Sequence, residues 1–479
     1  MTDQHVEAAV TRRPSKVSTW SIMVVRDFQL EKPRGALVFV LAAIVSLLFC
    51  WPSWPGFMSF DSMFAYTESI DGIQTAVWPP MHAYLFYVSR HLGADVAGVF
   101  FAQAILLFYS AGLLLSMFIA RTLSLVVAFL AFAALFVVFP TMWGTLAVLW
   151  KDVTTTSFAL LGVALWLTAI QRRSFGWLAG AMLALSIGVA LRYNALPLTF
   201  FIFVGMVAFP FGGIRRSRAT AVAFGLLAAG LAFAYVSTTY RLPDFNKLPA
   251  ARGFAGVQEF DLMGISVCAG HNYLPLGMSS GQPITVEQIG QLYDPRHVQL
   301  AFQIKPGIPA LIETDADGDV PRAWMAVVPK EFRCYLHHRL AVFTQQIGLA
   351  KEAVFYPTHG GIDANRYGIA LAHPDAAQAF AGYIVRSAND PWRRAAWLYG
   401  LAIGITFVAT FAGGPGRILR LALLLGALAY PATLFFVGPA ADARYVFPSN
   451  VFCALLIILG VAALTTRRGN RSDEAMRLS

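Results

Sequence analysis

Long apolar runs alternate with short polar punctuation along this chain. Stretches with almost no charge recur at 36–51, 95–118, 122–140, 153–170, 175–191, 196–213, 219–236, 395–412, 418–437 and 447–465. A helix needs about 20 mostly apolar residues to cross the hydrocarbon of a bilayer. The pattern therefore predicts ten spanning helices, seven before and three after one long polar segment. The fold class that follows is an all-α polytopic membrane protein. Its expected parts are a cytoplasmic basic leader (1–34), an N-terminal transmembrane module (35–236) with an interfacial loop (52–94), and an extracytoplasmic subdomain (237–394). A C-terminal transmembrane module (395–465) and a cytoplasmic tail (466–479) complete it.

Shorter patterns fill the polar regions. Trp54-Pro55-Gly56 signals a turn, after which Phe60 to Ile70 reads as an amphipathic helix. Phe60, Met63, Phe64 and Ile70 share one side, while Asp61 and Glu68, seven residues apart, share the other. Trp78-Pro79-Pro80 breaks the chain before the run Pro80 to Leu92, which is too short to span and carries His82, Arg90 and His91. It reads as a helix lying in the membrane interface. Within the subdomain, Pro321 to Leu349 is the most helical part, with Trp324, Val327, Val328, Phe332, Tyr335 and Leu336 at helical spacing.

Composition agrees with this pattern. The chain is 57% hydrophobic and 13% charged, against about 25% charged in an average soluble domain. Disorder, collagen-like repeats and small disulfide scaffolds are excluded by the same figures. The net charge of +10 resembles a nucleic-acid signal until it is divided by loop. With the N-terminus in the cytoplasm, the inner side collects the six basic residues of the leader (Arg12 to Arg34), Arg121, Arg172, Arg173, Arg215, Arg216, Arg218, Arg417, Arg420 and the basic tail. The short outer loops hold only Arg90, Lys151, Arg192 and Arg444. This is the positive-inside asymmetry of a membrane protein. It predicts a multi-pass protein of the bacterial inner membrane with both termini cytoplasmic, and nucleic acid drops out as a partner. The polar leader ahead of the first run predicts that no cleavable signal opens the chain.

Candidate chemistry then gathers on the outer side. Asp61 is a carboxylate near the expected membrane surface, suited to orienting or deprotonating a hydroxyl. Lys151-Asp152 opens the fourth span, where Asp152 has the place of a helix N-terminal cap and Lys151 has no such structural role. Arg192-Tyr193-Asn194 ends the fifth span, and Arg444-Tyr445 precedes the last. A guanidinium matches phosphate bidentately, so Lys151, Arg192 and Arg444 point to an anionic lipid headgroup. Cys268 and Cys334 lie in the same outer segment, where an oxidising compartment permits a disulfide that spacing alone does not fix. Cys50 and Cys453 lie at or within spans and read as inert. Asp315 to Asp319 lacks the glycine position and the closing glutamate of a calcium loop and reads as an acidic turn. His337, His338 and His359 have no partners at metal-ligand spacing and read as structural.

Several of these motifs carry a resemblance. Phe60-Asp61-Ser62 followed by Trp78-Pro79-Pro80, with a late Arg444-Tyr445 and Pro448, resembles the GT-C membrane glycosyltransferases, a superfamily that includes protein O-mannosyltransferases and lipid A aminoarabinose transferases. Trp150-Lys151-Asp152, Arg192-Tyr193-Asn194, Phe260 to Ser266 and Tyr335 to Arg339 are similar to a bacterial GT-C-like family. The resemblance implies transfer of a sugar from a polyprenyl-phosphate donor to an envelope glycan, lipid or protein at the outer leaflet. It implies that Asp61 is the catalytic carboxylate and that Arg444 and Tyr445 meet the donor phosphate, with Lys151, Asp152, Arg192 and Asn194 beside them. Glu68, Trp78, His82, Asp261 and Arg339 are placed around the same cavity. Trp78 stands where relatives have His before Pro-Pro, and Ser62 where many have a second acidic residue. No cofactor is assigned, and a divalent cation stays open. A transporter or flippase of a lipid-linked saccharide is the competing reading, and a non-catalytic scaffold a third. Transporters tend to show internal repeats and mid-span ionisable residues. This chain shows no repeat, and its ionisable residues sit at span ends.

Overall fold

The computed structural model describes residues 30–74, 79–207, 230, 246–247, 254–279, 281–297, 304–311, 319–412 and 416–478. Among these the chain is overwhelmingly helical. Among the described residues the one two-stranded sheet is a two-residue parallel contact between Ile73–Gln74 and Asn246–Lys247, beside a few isolated bridges.

The first group of helices is α1 (Gly35–Cys50), α2 (Phe60–Asp71), α3 (Met81–His91), α4 (Asp95–Phe118), α5 (Thr122–Val138), α6 (Pro140–Leu146), α7 (Lys151–Arg172), α8 (Phe175–Leu191) and α9 (Leu196–Val207). The polar segment supplies α10 (Ala255–Ala269), α11 (Val286–Leu292), α12 (Asp319–Lys330), α13 (Phe332–Gln346) and α14 (Pro374–Ala388). The chain ends in α15 (Ala395–Phe411), α16 (Arg417–Val437) and α17 (Phe447–Leu478). Helices thus occupy the described parts of the predicted apolar stretches; 208–213 and, apart from residue 230, 219–236 lie outside the described residues. Five helical stretches, those of α1, α4, α7, α16 and the described start of α17, are long and apolar enough to cross a membrane. α5 and α6 together make a sixth if the bent pair counts as one span.

Two boundaries differ from the sequence reading. The stretch read as a span ending at residue 140 turns by 93° at Phe139, because Pro140 cannot continue α5's hydrogen bonding but is well suited to a helix's first turn. The loop expected after it is the short helix α6, which packs against α14. At the other end, α17 continues to Leu478, well past the predicted end at 465.

The apolar helices are hydrophobic nearly all round, so each has more than one packing face. α7 packs against α4 and α8, α1 against α4, α9 against α16, and α15 and α16 against α17. The resulting core runs from Val38 on α1 to Leu459 on α17. A second, smaller core joins α10, α11, α12 and α13 through Leu262, Ile265, Ile289, Val327 and Tyr335. Cys268 on α10 and Cys334 on α13 are joined by a disulfide.

α2 buries residues from its polar side, with Met63 and Ile70 partly buried against the core. Its buried face is Ser62, Ala65, Tyr66, Glu68 and Ser69, while Phe60 is 62% exposed. The polar side turns inward because partners wait there: the Ser62 hydroxyl donates to the Leu149 carbonyl at 2.8 Å, and the Tyr66 hydroxyl to Asp95 at 2.9 Å. The helix stops at Gly72, whose φ of 64° lies in the left-handed region that glycine enters without penalty.

Candidate functional site

Four chain segments meet where α2, α7 and α17 begin, and backbone hydrogen bonds hold them together. Phe57 pairs with Val148, its N–H donating to Ala147 at 2.9 Å and its carbonyl accepting from Leu149 at 2.9 Å. Met58 makes a second parallel bridge, with Ile362, its N–H donating to Gly361 and its carbonyl accepting from Asp363, both at 2.9 Å. The Ala443 N–H donates to the Phe355 carbonyl at 3.2 Å. Residues 57–62, 147–152, 355–363 and 440–445 are therefore one unit, although nearly 400 residues separate the outermost. Satisfied backbone groups of this kind fix side-chain positions more firmly than packing alone.

Arg444 is the centre of the unit. Its Nη1 donates to Asp61 Oδ2 at 2.6 Å and its Nε to Asp442 Oδ2 at 3.1 Å. The guanidinium lies 4.7 Å from the Trp150 ring centroid and 5.1 Å from that of Tyr445, within range of cation–π attraction. Trp150 is itself pinned, since its indole N–H donates to Ser59 Oγ at 2.8 Å. Arg192 also lies against Tyr445, 4.6 Å from the ring centroid, and pairs with Asp152. Its Nε donates to Asn194 Oδ1 at 2.8 Å. Thus two guanidinium groups lie within cation–π range of Tyr445.

This pairing corrects one reading of the sequence. Asp152 has the right place for a cap, but α7 is preceded by Trp150 and shows no side-chain cap bond. The Asp152 carboxylate is committed to Arg192 instead. With both side chains buried, an ion pair brings more electrostatic energy than an exposed cap would.

The two carboxylates on Arg444 are held in different states. Burial pushes the Asp61 carboxyl up, but Arg444 and Lys151, with Arg192 behind them, pull harder and leave it below the ordinary carboxylate value. Asp442 is 2% exposed, and there burial outweighs Arg444 and His297, so its carboxyl is raised. Asp61 is thus the committed anion, and Asp442 the one nearer to holding a proton. On α3, His82 is 4% exposed, and burial lowers its pKa to about 3, helped by the positive charge of Lys151. It stays neutral at physiological pH.

The structure brings most of the sequence candidates together. Asp61, Lys151, Arg192 and Arg444 act on one another electrostatically, with Asp152, Asn194 and Tyr445 as their direct partners. Glu68 is buried on α2, two turns along from Asp61. Trp78 lies outside the described residues, as does most of the acidic turn 315–319. Asp261 and Arg339 belong to a different cluster. Arg339 Nε and Nη2 bond Asp261 at 2.7 and 2.8 Å, and the Trp324 indole donates to the same carboxylate at 2.7 Å. That cluster is closed on all sides, with both charged side chains at 0% exposure. Among the described residues no group of three or more His, Cys, Asp or Glu side chains is placed to hold a metal ion.

Sequence reasoning missed three participants. Asp442 was visible two residues before Arg444, and Trp150 next to Lys151. Neither has a spacing signature, because each contributes through a contact made across the fold. The third is the group Tyr356, His359 and Asp363, which reaches the site through the backbone bond from Ala443 to Phe355. No protein-family model matches this chain, and no curated protein matches it significantly.

Proposed function

We propose that this protein is a membrane glycosyltransferase that takes a sugar from a polyprenyl-phosphate donor and passes it to an envelope glycan, lipid or protein acceptor. One observation carries the reading. Three of the four basic residues that the short outer loops retain, Lys151, Arg192 and Arg444, come from three distant segments and act electrostatically on a single partly exposed carboxylate, Asp61, with which Arg444 pairs directly. A scaffold has no use for that expense of buried charge. A transporter is expected to place such groups at mid-span, whereas these sit where helices begin or end.

The chemistry needs little more. An acceptor hydroxyl oxygen attacks the anomeric carbon, the bond from that carbon to the phosphate oxygen breaks, and the electron pair leaves on phosphate. Arg444 and Arg192, both against Tyr445, together with Lys151, would stabilise the charge that develops there. Asp61 would hold the acceptor hydroxyl in line. The membrane-capable helices suit a lipid-linked donor, and in this reading ten spans place the site on the extracytoplasmic side of the inner membrane. No step of the reading requires a metal ion.

Two measurements test this. Envelope glycans and glycolipids are compared by mass in cells lacking the protein and in cells given back wild type, Asp61→Asn or Arg444→Ala. Wild type should restore the native profile and both variants should fail; restoration by the variants would sink the catalytic assignment. For orientation, a cysteine placed between Arg215 and Arg218 should resist an impermeant thiol reagent in intact cells. Labelling at that position would overturn the ten-span arrangement.

A further inference from the structure

Asp61 is well placed to orient an acceptor but poorly suited to keep its proton. Three cations hold its carboxyl below the ordinary value, so its conjugate acid is strong. A glycosyl transfer with a hydroxyl acceptor must still put that proton somewhere.

A better acceptor stands beside the site. The Tyr356 hydroxyl lies 2.6 Å from His359 Nδ1, and His359 Nε2 lies 3.1 Å from Asp363 Oδ1. An ionised carboxylate cannot donate, so Nε2 carries the imidazole hydrogen toward Asp363, and Nδ1 accepts from the tyrosine. The arrangement is a base oriented by a third group and connected to a hydroxyl, the logic by which enzymes activate weak proton donors. It is joined to the site at three places. Tyr356 packs on Trp150 with ring centroids 5.7 Å apart, and Trp150 supports Arg444. Phe355 accepts the backbone bond from Ala443. Asp363 is tied to Met58, three residues before Asp61.

We propose that Tyr356, His359 and Asp363 form the proton relay of this site: the acceptor hydroxyl gives its proton to the Tyr356 oxygen as the tyrosine proton moves to His359 Nδ1. The inference rests on the glycosyltransferase reading and deepens it. The bond formed joins the acceptor oxygen to the anomeric carbon, the bond broken releases the phosphate with its electron pair, and the proton finishes on His359. Asp363 holds the resulting imidazolium and is 43% exposed, so solvent can carry the proton away. Asp61 then orients and Tyr356 transfers.

The electrostatics fit these roles. Burial lowers the His359 pKa, Asp363 opposes that, and Arg444 adds to the lowering. The imidazole therefore rests neutral and ready to accept. Burial raises Tyr356 to about 12, with Asp442, Asp363 and Asp61 raising it and Arg444 opposing. The phenol keeps its proton at rest and passes it on only as another arrives.

The test uses the full-length protein in its membrane. Wild type, Tyr356→Phe and Asp363→Asn are returned to cells lacking the protein, and sugar transfer is read by mass across external pH from about 5 to 8. Binding of undecaprenyl phosphate, with undecaprenol as the uncharged control, is measured on each purified protein. Tyr356→Phe should lose transfer by about 100-fold or more and bind undecaprenyl phosphate as wild type does. Asp363→Asn removes the charge that raises His359, so its residual activity should persist to lower pH than that of wild type. If both variants transfer at the wild-type rate with the wild-type pH limb, the relay is wrong and the glycosyltransferase reading stands. If Tyr356→Phe loses binding and transfer together, Tyr356 is structural and the relay is overturned. If wild type neither binds undecaprenyl phosphate in preference to undecaprenol nor alters the sugar profile, the reading falls and takes the relay with it.

Discussion

Two carboxylate–guanidinium pairs in this molecule share the same chemistry and differ in everything around it. Asp261 and Arg339 are both fully enclosed; Asp261 Oδ2 accepts from Arg339 Nη2 and the Trp324 indole, and Oδ1 lies 2.7 Å from Arg339 Nε. The remaining Arg339 nitrogen donates to the Gly438 carbonyl at 2.8 Å, so the pair also ties α10 and α13 to the end of α16. Asp61 is 19% exposed, shares its arginine with a second acid, and has two further cations acting on it. A closed pair shut away from solvent holds elements together and offers no face to a ligand. An over-supplied, partly open pair carries charge that the fold itself does not need. Charge alone does not separate these cases; exposure and the surplus of cations around Asp61 do.

The largest effect expected from breaking this comparison is on the closed pair. Asp261→Asn leaves Arg339 buried with half its compensation, and removing one partner of a buried pair costs about 3–5 kcal/mol. Thermal unfolding in detergent should fall sharply, and cellular levels with it, whether or not donor is present. A variant that unfolds normally but fails in transfer would move Asp261 into the functional site.

Arg444→Ala comes next and should divide its effect. Loss of one preorganised cation facing developing charge costs about 2.7–4 kcal/mol in the transition state, or roughly 100- to 1,000-fold in rate. Stability should fall as well, because Asp442 is left buried without its guanidinium, whereas Asp61 can turn to water. The double variant Arg444→Ala with Asp442→Asn should regain stability and no transfer. Recovery of both would show that Arg444 serves only the fold.

How far the sequence revealed each region follows from the same distinction. The apolar runs were legible because a spanning helix must be written out continuously. Asp61, Lys151, Arg192 and Arg444 were legible because they break local expectation, being polar or basic where short loops seldom are. Their convergence was not legible, because it depends on backbone bonds such as Phe57 to Ala147 and Ala443 to Phe355, which any residue can make. The inward polar face of α2 was hidden for a related reason. Periodicity separates Phe60 from Asp61 but does not say which side of the helix meets the protein. Asp261 and Arg339 were grouped with the site because charge in an outer segment reads alike in either setting.

Gly144 offers a gentler break, acting through position alone. The loop carrying Tyr356 and His359 crosses α6 here, and a Cβ on residue 144 would stand 2.5 Å from the Pro357 carbonyl oxygen and 2.7 Å from Ile384 Cγ2. Gly144→Ala must push that loop away, at an overpacking cost of about 1–3 kcal/mol. The Thr358 hydroxyl, which donates to the Gly144 carbonyl at 2.8 Å, would move with it. Transfer should fall more than stability, because the displaced groups belong to the relay while the Asp261 cluster is untouched. Equal stability losses in Gly144→Ala and Asp261→Asn would mean that the two regions are not mechanically separate.

The smallest effect at neutral pH becomes visible only in acid. The folded protein holds the Asp61 carboxyl below its unfolded value of about 3.9. Its contribution to stability is therefore complete above that value and is lost as pH falls through the lower, folded one. Asp442 works in the opposite direction. Its raised carboxyl binds a proton more readily in the folded chain, so acidification through that range favours folding and offsets part of the loss. Melting temperatures measured from about pH 7 down to pH 3 should fall less for Asp61→Asn than for wild type, and more steeply for Asp442→Asn. The two variants thus bend the acid limb in opposite senses, although both acids bond the same guanidinium. Identical acid limbs would mean that the two carboxylates share their proton equally, and the division of labour between a committed anion and a proton-holding acid would have to be abandoned.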